Sequence, residues 1–326
     1  MSTTTRERIF DGDAVARRLA SMGEVEDRRA GIRERFLTPS IGGGRTVAVL
    51  ATPLADPHEV GWVVCHSFGM EQVTLATHEV PIARALAAEG SAVLRYHGQG
   101  YGDSELGFDG VGLASHVRDA LDAAAVLVDA TGVERVAFLG ARLGGTSAAI
   151  AAERMGSPAF VAWEPVVLGR PYARSLLTLS VLLQLMHQER DDQHRPDPAV
   201  QLAEHGVLDV QGFPLWRETY DELTELDLAQ DIRAFRGSSL IAQISKTAKP
   251  NAELERFATH LRDLGGTSEF TVIQDERANT FGEPRYRPTG GGHKTDVQHQ
   301  LGEALVARTL SWCRSAGLSS APGGSR

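Results

Sequence analysis

A glycine-rich turn near the middle of the chain has the spacing of a site for nucleophilic catalysis. Its residues, Gly140-Ala-Arg142-Leu-Gly144-Gly, follow a short apolar run and precede a segment of small residues with helical character. In the pattern G-x-S-x-G, a serine nucleophile stands at the centre of such a turn, beside the positive end of the following helix. Here the central residue is Arg142, whose guanidinium stays protonated in proteins. Acyl-enzyme chemistry through a serine at this position is therefore excluded.

Two interpretations of Arg142 remain open. Either it binds a carboxylate or phosphate of the substrate, because its planar fork suits bidentate pairing with such groups. Or it is structural and pairs with an internal acid such as Glu164. A cation at the start of a helix is unfavourable to the helix dipole. Both interpretations therefore require an anionic partner.

Three residues are the candidates for acid–base or nucleophilic chemistry. His293 stands in a glycine loop, 289–296, where a general base is expected, although a loop histidine exposed to solvent is the other interpretation. No carboxylate occurs at 245–247, where an acid would orient that histidine, and Glu164 is the best substitute. Ser67 is a displaced nucleophile if His293 reaches it. The predicted catalytic residues are therefore His293, Glu164 and Ser67.

Backbone groups could still polarise a carbonyl oxygen. The loop 65–69 follows a predicted strand where one N–H donor of an oxyanion hole is expected, and the N–H of Leu143 would be the second. Backbone donors survive replacement of the side chain. The residues predicted to bind substrate are Arg142, His66, Phe68, Leu143 and Trp163.

These residues need a scaffold of alternating strands and helices. Apolar runs at 61–66, 91–96, 135–140, 159–163, 239–244 and 270–273 predict buried parallel strands, and 32–38 with 46–54 predict an antiparallel hairpin before them. Helices are predicted at 81–89, 113–130, 175–186, 252–264 and 297–312, and directly after the elbow turn. The sequence therefore predicts an α/β fold with a mostly parallel central sheet and helices on both faces.

The alternation stops between residues 169 and 236, a segment too long for an ordinary connection. We interpret it as an inserted cap or lid that contains a short strand at 207–210 and an acidic helix at 218–227. The predicted core then comprises 28–168 and 237–315. Residues 1–27 are predicted to form an N-terminal arm and 316–326 a disordered tail.

Composition restricts the function classes further. The chain has 33 Lys and Arg against 42 Asp and Glu, a net charge of −9, which argues against a nucleic-acid partner. No run approaches the roughly 18 apolar residues of a membrane helix, and the N-terminus lacks the apolar stretch of a secretory signal. Cys65 and Cys313 offer no metal-type spacing and are interpreted as reduced thiols. We expect a cytoplasmic protein without metal, cofactor or membrane partner, acting on a small-molecule or peptide substrate. A homodimer is left open.

At these motifs the chain resembles the hydrolases associated with the exosortase A system, a branch of the α/β-hydrolases. The matching stretches are residues 68–71, the helix end 83–90, and the segments 98–104, 139–144, 163–170 and 207–215. The resemblance implies the α/β-hydrolase fold with a cap, and implies that arginine at the elbow is a feature of the family. Glu164 departs from it, since the family favours glutamine there, and so do Gly98 and Gln99.

Three functions fit these observations. The first is an enzyme of a specialised biosynthetic pathway that lacks the serine nucleophile. It would act on a small acyl, ester, peptide-like or anionic substrate by acid–base chemistry such as isomerisation, cyclisation or hydrolysis. The second is a catalytically silent binding protein. The third is an esterase, thioesterase or acyltransferase with a displaced nucleophile. Fold alone cannot choose among them.

Overall fold

A nine-stranded sheet forms the centre of the molecule. The computed structural model describes residues 23–187, 197–275 and 295–319, without the side chains of 182–187 and 295–301. The strands are β1 (Glu24–Asp27), β2 (Ile32–Leu37), β3 (Ser40–Ile41), β4 (Gly44–Arg45), β5 (Ala48–Pro53), β6 (Val60–Cys65), β7 (Val93–Tyr96), β8 (Arg135–Ala141), β9 (Ala159–Trp163), β10 (Val207–Val210), β11 (Phe213–Trp216), β12 (Ser238–Ser245) and β13 (Thr267–Gln274). The helices are α1 (Met70–Ala88), α2 (Leu113–Thr131), α3 (Leu143–Met155), α4 (Gly169–His187), α5 (Pro198–His205), α6 (Arg217–Glu225), α7 (Leu228–Asp231), α8 (Ala252–Asp263) and α9 (Thr295–Ser315).

The order of strands across the main sheet is β1-β2-β5-β7-β6-β8-β9-β12-β13. From β7 to β13 all neighbouring strands are parallel. The pairs β1–β2, β2–β5 and β5–β7 are antiparallel. The mostly parallel sheet that the apolar runs predict is therefore confirmed, with the antiparallel pair β2–β5 before it.

Helices cover both faces of this sheet. All residues of β6 and β9 are buried, as expected of parallel strands enclosed between two layers. Alternate side chains of β6 enter different cores. Val63 packs in a cluster with residues of α2 and α3, whereas Trp62 packs with Ile82 of α1 and Trp312 of α9.

Three adjacent parallel strands end at one edge of the sheet. Cys65 at the end of β6 is in register with Gly140 of β8, and Ala141 of β8 is in register with Trp163 of β9. The carboxyl ends of neighbouring parallel strands lie side by side. The turns after β6, β8 and β9 consequently meet, and they carry most of the predicted site residues.

Helix α1 begins eleven residues earlier than the sequence predicts. It runs from Met70 and contains Pro81 in its interior, whereas the sequence predicts this proline at the start of the helix. A proline inside a helix loses one backbone hydrogen bond. Burial of Leu75, Ile82 and Leu86 between the sheet and α9 offsets this loss, and tertiary packing thus overrides the local signal.

The segment between β9 and β12 contains α4 to α7 and the hairpin β10–β11. Helix α4 begins at Gly169, six residues before the predicted start, and β11 was not predicted. Gln211 and Gly212 both have positive φ, at 60° and 87°, as the tight turn of a two-residue hairpin requires.

The acidic helix of this segment is attached to the core, although the sequence interpretation makes it a solvated face. The Glu222 carboxylate accepts hydrogen bonds from the N–H groups of Leu113 and Ala114, at 2.9 and 2.7 Å. These are free donors at the start of α2, a favourable place for a carboxylate. The boundaries 169–236 for a cap stay a prediction.

Both predicted terminal segments contain ordered residues. Residues 24–27, assigned to the N-terminal arm, form the edge strand β1. In the predicted disordered tail 316–326, Leu318 is buried and the Ser319 hydroxyl donates to the Glu89 carboxylate at 3.0 Å. Of the helices that the structure describes, none combines the length and apolarity of a membrane span.

Candidate active site

The turn between β8 and α3 has a strained backbone. Arg142 has φ 53° and ψ −126°, a region that residues with a side chain rarely occupy and that costs about 1–3 kcal/mol. The glycines around it are required by close contact. A Cβ at Gly140 would lie 2.2 Å from the carbonyl oxygen of Gly144, and one at Gly144 would lie 2.5 Å from that of Cys65. This is the geometry of a strand–turn–helix elbow.

The Arg142 side chain contacts two carboxylates. Its Nε lies 3.2 Å from Oε1 of Glu71. Its Nη1 lies 3.8 Å from Oε2 of Glu164 and 3.4 Å from the backbone carbonyl oxygen of the same residue. Its Cζ is 5.8 Å from the centre of the Tyr172 ring, within cation–π range. Burial lowers the pKa of the guanidinium, but the attraction of Glu71 and its neighbours outweighs this, and the pKa of Arg142 is raised.

Glu71 accepts hydrogen bonds from three parts of the chain. Its Oε2 accepts from the Ser67 hydroxyl and from the Tyr172 hydroxyl, both at 2.9 Å, while Oε1 accepts from Arg142. Glu71 lies in the first turn of α1, where the helix dipole favours a negative charge. We call Ser67, Glu71, Arg142, Glu164 and Tyr172 the elbow cluster.

Glu164 directly follows β9 and also has a positive φ, of 50°. Its backbone N–H donates to the carbonyl of Ala242, and its Oε1 accepts from the N–H of Ile244 at 2.7 Å. Burial raises the pKa of the Glu164 carboxyl, and the Ile244 and Arg142 contacts only partly oppose this. Its side chain remains 23% exposed.

Solved structures of esterases share this architecture. Est1E from Butyrivibrio proteoclasticus, in a structure with bound ferulic acid, is 18% identical with a TM-score of 0.57, over 84% of this chain and 98% of that one. An esterase from Pyrococcus furiosus is 11% identical with a TM-score of 0.58, over 90% and 94%. An esterase from Pyrobaculum calidifontis is 18% identical with a TM-score of 0.53, over 94% and 92%. No family model and no curated protein matches the sequence.

The chain has the α/β-hydrolase fold. In this fold the elbow projects its central residue at the carboxyl edge of the sheet, and backbone N–H groups beside it form the oxyanion hole. Leu143 is the first residue of α3, so its N–H has no acceptor within the helix. The side chains of Leu143 and Phe68 are buried. These two residues could therefore contact a substrate only through their backbone N–H groups.

His66, predicted to bind substrate, lies in the core. It is 4% exposed, its Nε2 accepts from the N–H of Gly98 at 2.8 Å, and its Nδ1 lies 3.3 Å from the carbonyl oxygen of Ser67. Burial, with a smaller effect of His116, lowers the pKa of His66 to about 3. The ring is neutral, and both of its nitrogens contact the backbone.

Trp163, also predicted to bind substrate, is 2% exposed. Its indole N–H donates to the Thr309 hydroxyl at 3.2 Å, which joins β9 to α9. Its contribution to the site in this structure is structural, since its backbone carbonyl accepts from the Arg142 N–H at 2.9 Å and holds the elbow in place.

Ser67 is at the site but points to an acid instead of a base. Its hydroxyl donates to Glu71, and its N–H donates to the Gln72 side chain at 2.6 Å. Among the described residues no imidazole bonds to its hydroxyl. His293 lies outside the described residues, so its pairing with Ser67 stays a prediction.

Glu71 and Tyr172 are the two site residues that the sequence analysis missed as such. Glu71 lies within the stretch 68–71 that carries the family resemblance, six residues after the end of β6. An acid in the first turn of a helix that starts at the sheet edge is a signal that could have found it. No signal in the sequence pointed to Tyr172, since the helix that contains it was predicted to begin only at residue 175.

The space beneath the elbow is small. A cavity of about 10 Å³, lined by residues that include Cys65, Ser67, Glu79 and Trp163, has room for about one water. No three metal-binding side chains are grouped within the described parts of the chain. A substrate would therefore have to approach the elbow cluster from its exposed side.

Proposed function

We propose that the protein is an α/β-hydrolase-fold enzyme that acts on a small acyl, ester or peptide-like substrate by acid–base chemistry, without a serine nucleophile at the elbow. Glu164 transfers the proton. The N–H groups of Leu143 and Phe68 donate hydrogen bonds to the carbonyl oxygen as negative charge develops on it. Arg142 takes the place of the nucleophile and holds the carboxylates in position.

The observation that carries this proposal is the environment of Glu164. It is a partly exposed carboxyl group at the carboxyl edge of the sheet, next to the elbow, and burial raises its pKa. A general base works best when its pKa lies nearer the working pH than that of a free carboxylate. Perturbed acids in such positions favour a functional site.

In the proton-transfer step, a carboxylate oxygen of Glu164 takes a proton from the carbon next to a carbonyl group. The electron pair of the broken C–H bond forms the enolate, whose oxygen accepts hydrogen bonds from the two backbone N–H groups. In an unsaturated substrate, Glu164 returns the proton on the same face to the γ carbon of the dienolate, which gives an isomer with a shifted double bond. In cyclisation, the enolate carbon attacks a second carbonyl group of the same substrate and forms a C–C bond, and the resulting alkoxide oxygen takes the proton back from Glu164.

A binding protein without catalysis is the second candidate. The ion pair between Arg142 and Glu71 favours it, because an arginine that is already paired resembles a structural element. The displaced-serine esterase has weaker support, since the Ser67 hydroxyl donates to Glu71 and not to a histidine.

Hydrogen exchange with solvent separates these candidates. A panel of acyl esters, thioesters and amides is incubated with the enzyme in D₂O, and deuterium at the α carbon and released acid are both followed by mass spectrometry. We expect exchange with the wild type on at least one substrate class and its loss in Glu164→Gln.

The matched control is Glu153→Gln, a carboxylate that binds the N–H groups of residues 233–235 far from the elbow; exchange should persist there. Substrate binding without exchange or hydrolysis would instead support the binding protein. Ester hydrolysis that survives Glu164→Gln and disappears in Ser67→Ala would support the displaced nucleophile.

A further inference from the structure

The charges of the elbow cluster do not form an anion receptor. Arg142 is its only cation among the described residues, and it is in contact with Glu71 and near Glu164. Whichever protonation form Glu164 takes, the three groups together carry no net positive charge. A ligand that brings a carboxylate or phosphate would add a negative charge to a site that is already neutral or negative.

Glu71 also occupies the Nε edge of Arg142, one of the two edges with which a guanidinium binds a carboxylate in bidentate fashion. It is held there by more than the ion pair. The hydroxyls of Ser67 and Tyr172 both donate to its other oxygen at 2.9 Å, and its backbone is fixed in the first turn of α1. An acidic ligand would have to displace this internal carboxylate. The ligand loses translational and rotational entropy on binding, whereas Glu71 is already in place.

The Glu164 carboxylate also disfavours an acidic ligand. Oε2 of Glu164 is 3.8 Å from Arg142, too far for a hydrogen bond, and the Glu164 side chain is partly exposed. It can therefore accept a hydrogen bond from a ligand N–H or O–H group, and it attracts a cation.

We propose that Glu71 determines the specificity of this site: as the internal counter-ion of Arg142 it rejects acidic ligands and selects neutral or amino-bearing ones. This rests on the proposed function only in placing the substrate at the elbow. The proposal restricts the acyl, ester or peptide-like substrates to those without an acidic group beside the reacting carbonyl. It also replaces the interpretation of Arg142 as a receptor for carboxylate or phosphate.

Two probes with four carbon atoms each and opposite charges test the proposal. Binding of n-butylammonium and of butyrate is measured by ligand-observed NMR at low ionic strength, where charge effects are least screened. Wild-type protein should bind the ammonium at least about tenfold more tightly than butyrate, the scale of one unit charge near a partly exposed pair. Loss of the ammonium signal in Glu164→Gln would place the binding at the elbow.

In Glu71→Gln the order should reverse, because Arg142 then lacks its closest counter-ion and binds butyrate. The matched control is Glu105→Gln, which removes a carboxylate from another arginine pair, with Arg45, on the surface; there the ratio should not change. Tyr172→Phe retains the charge of Glu71 and loosens its hold. It should move the ratio toward butyrate by a smaller factor, and it serves if Glu71→Gln does not fold.

Tighter binding of butyrate to the wild type, no binding of either probe, or an unchanged ratio in the folded Glu71 and Tyr172 variants would overturn the proposal. These readings need no turnover. A protein that prefers the ammonium yet shows no hydrogen exchange would contradict the proposed acid–base function and leave the specificity of Glu71 supported.

Discussion

Two polar clusters lie side by side under the turns after β6 and β8, and they are built in opposite ways. The histidine cluster consists of His66, Tyr96, Tyr101 and His116, all at most 6% exposed. Its rings contact one another at centroid distances of 4.7 to 5.9 Å, and the histidine nitrogens face backbone groups. In the elbow cluster the three charged side chains, of Glu71, Arg142 and Glu164, are 16 to 26% exposed. Two of these residues, Arg142 and Glu164, have a strained backbone with positive φ.

The difference separates structural from functional use of the same kinds of residue. Ser67, a member of the elbow cluster, also contacts the histidine cluster: its carbonyl oxygen is near His66 and His116, while its hydroxyl donates to Glu71. Histidine, the usual acid–base residue, is here buried and occupied by the backbone. The carboxylates, in contrast, are reachable. This contrast makes Glu164 the better candidate for proton transfer among the described residues.

The largest expected effect is on the histidine cluster. His66→Ala removes a buried ring and leaves the Gly98 N–H without its acceptor, so we expect a loss of about 3 kcal/mol in the free energy of unfolding. Urea denaturation measures it. His205→Ala, at an exposed position of α5, should stay within about 0.5 kcal/mol. Equal effects of the two substitutions would mean that His66 is not held as described.

The next effect is a loss of stability in acid. The pKa of His66 is lowered to about 3, below that of the unfolded chain, so its contribution is present above pH 6.5 and is lost as the pH falls toward 3. At pH 5 the loss should be about 1–2 kcal/mol relative to pH 7. It is obtained as the difference between wild type and His66→Gln in urea titrations at both pH values. An identical pH dependence of the two proteins would contradict the assignment.

At the elbow, the backbone strain gives an effect of about 1 kcal/mol. Arg142→Gly and Arg142→Ala both remove the guanidinium, but only glycine adopts φ 53° and ψ −126° without strain. Arg142→Gly should therefore be the more stable variant by about 1 kcal/mol. At the exposed helix position Ala203, the change to glycine should instead destabilise by about 0.5–1 kcal/mol. Greater stability of Arg142→Ala would show that the elbow is relaxed.

The smallest effect has the opposite dependence on pH from that of His66. The pKa of Glu164 is raised, so its contribution to stability is present below pH 4.5 and is lost as the pH rises through its folded pKa. Glu164→Gln should gain stability relative to wild type on going from pH 4.5 to pH 8, by less than about 1 kcal/mol because the group is partly exposed. Thermal denaturation at several pH values follows it. A relative loss over that range would reverse the assignment.

The sequence predicted the parts of this site that depend on local pattern. Continuous apolar runs in β6, β8 and β9 indicate buried parallel strands, and the spacing of Gly140 and Gly144 indicates the elbow, because each needs only neighbouring residues. The partners of Arg142 were harder to predict. Glu71 lies 71 residues before it and Tyr172 lies on α4, so only the fold brings them together, and the expected partner Glu164 is the more distant one.

The role of His66 was missed for a different reason. A histidine after a buried strand has the same sequence pattern whether its ring faces solvent or the core. The orientation is decided by the Gly98 loop, whose N–H requires an acceptor. Likewise, Pro81 signals a helix start in the sequence, and only the packing of α1 against α9 shows that the helix continues through it.

Whether the site works without a serine nucleophile is tested by intact-protein mass spectrometry after incubation with a fluorophosphonate, which phosphonylates activated serines with loss of fluoride. We expect no adduct on the wild type under conditions that fully label a serine esterase, because the elbow residue is Arg142 and the Ser67 hydroxyl donates to Glu71. A stoichiometric adduct that disappears in Ser67→Ala would contradict it and would identify a displaced serine nucleophile.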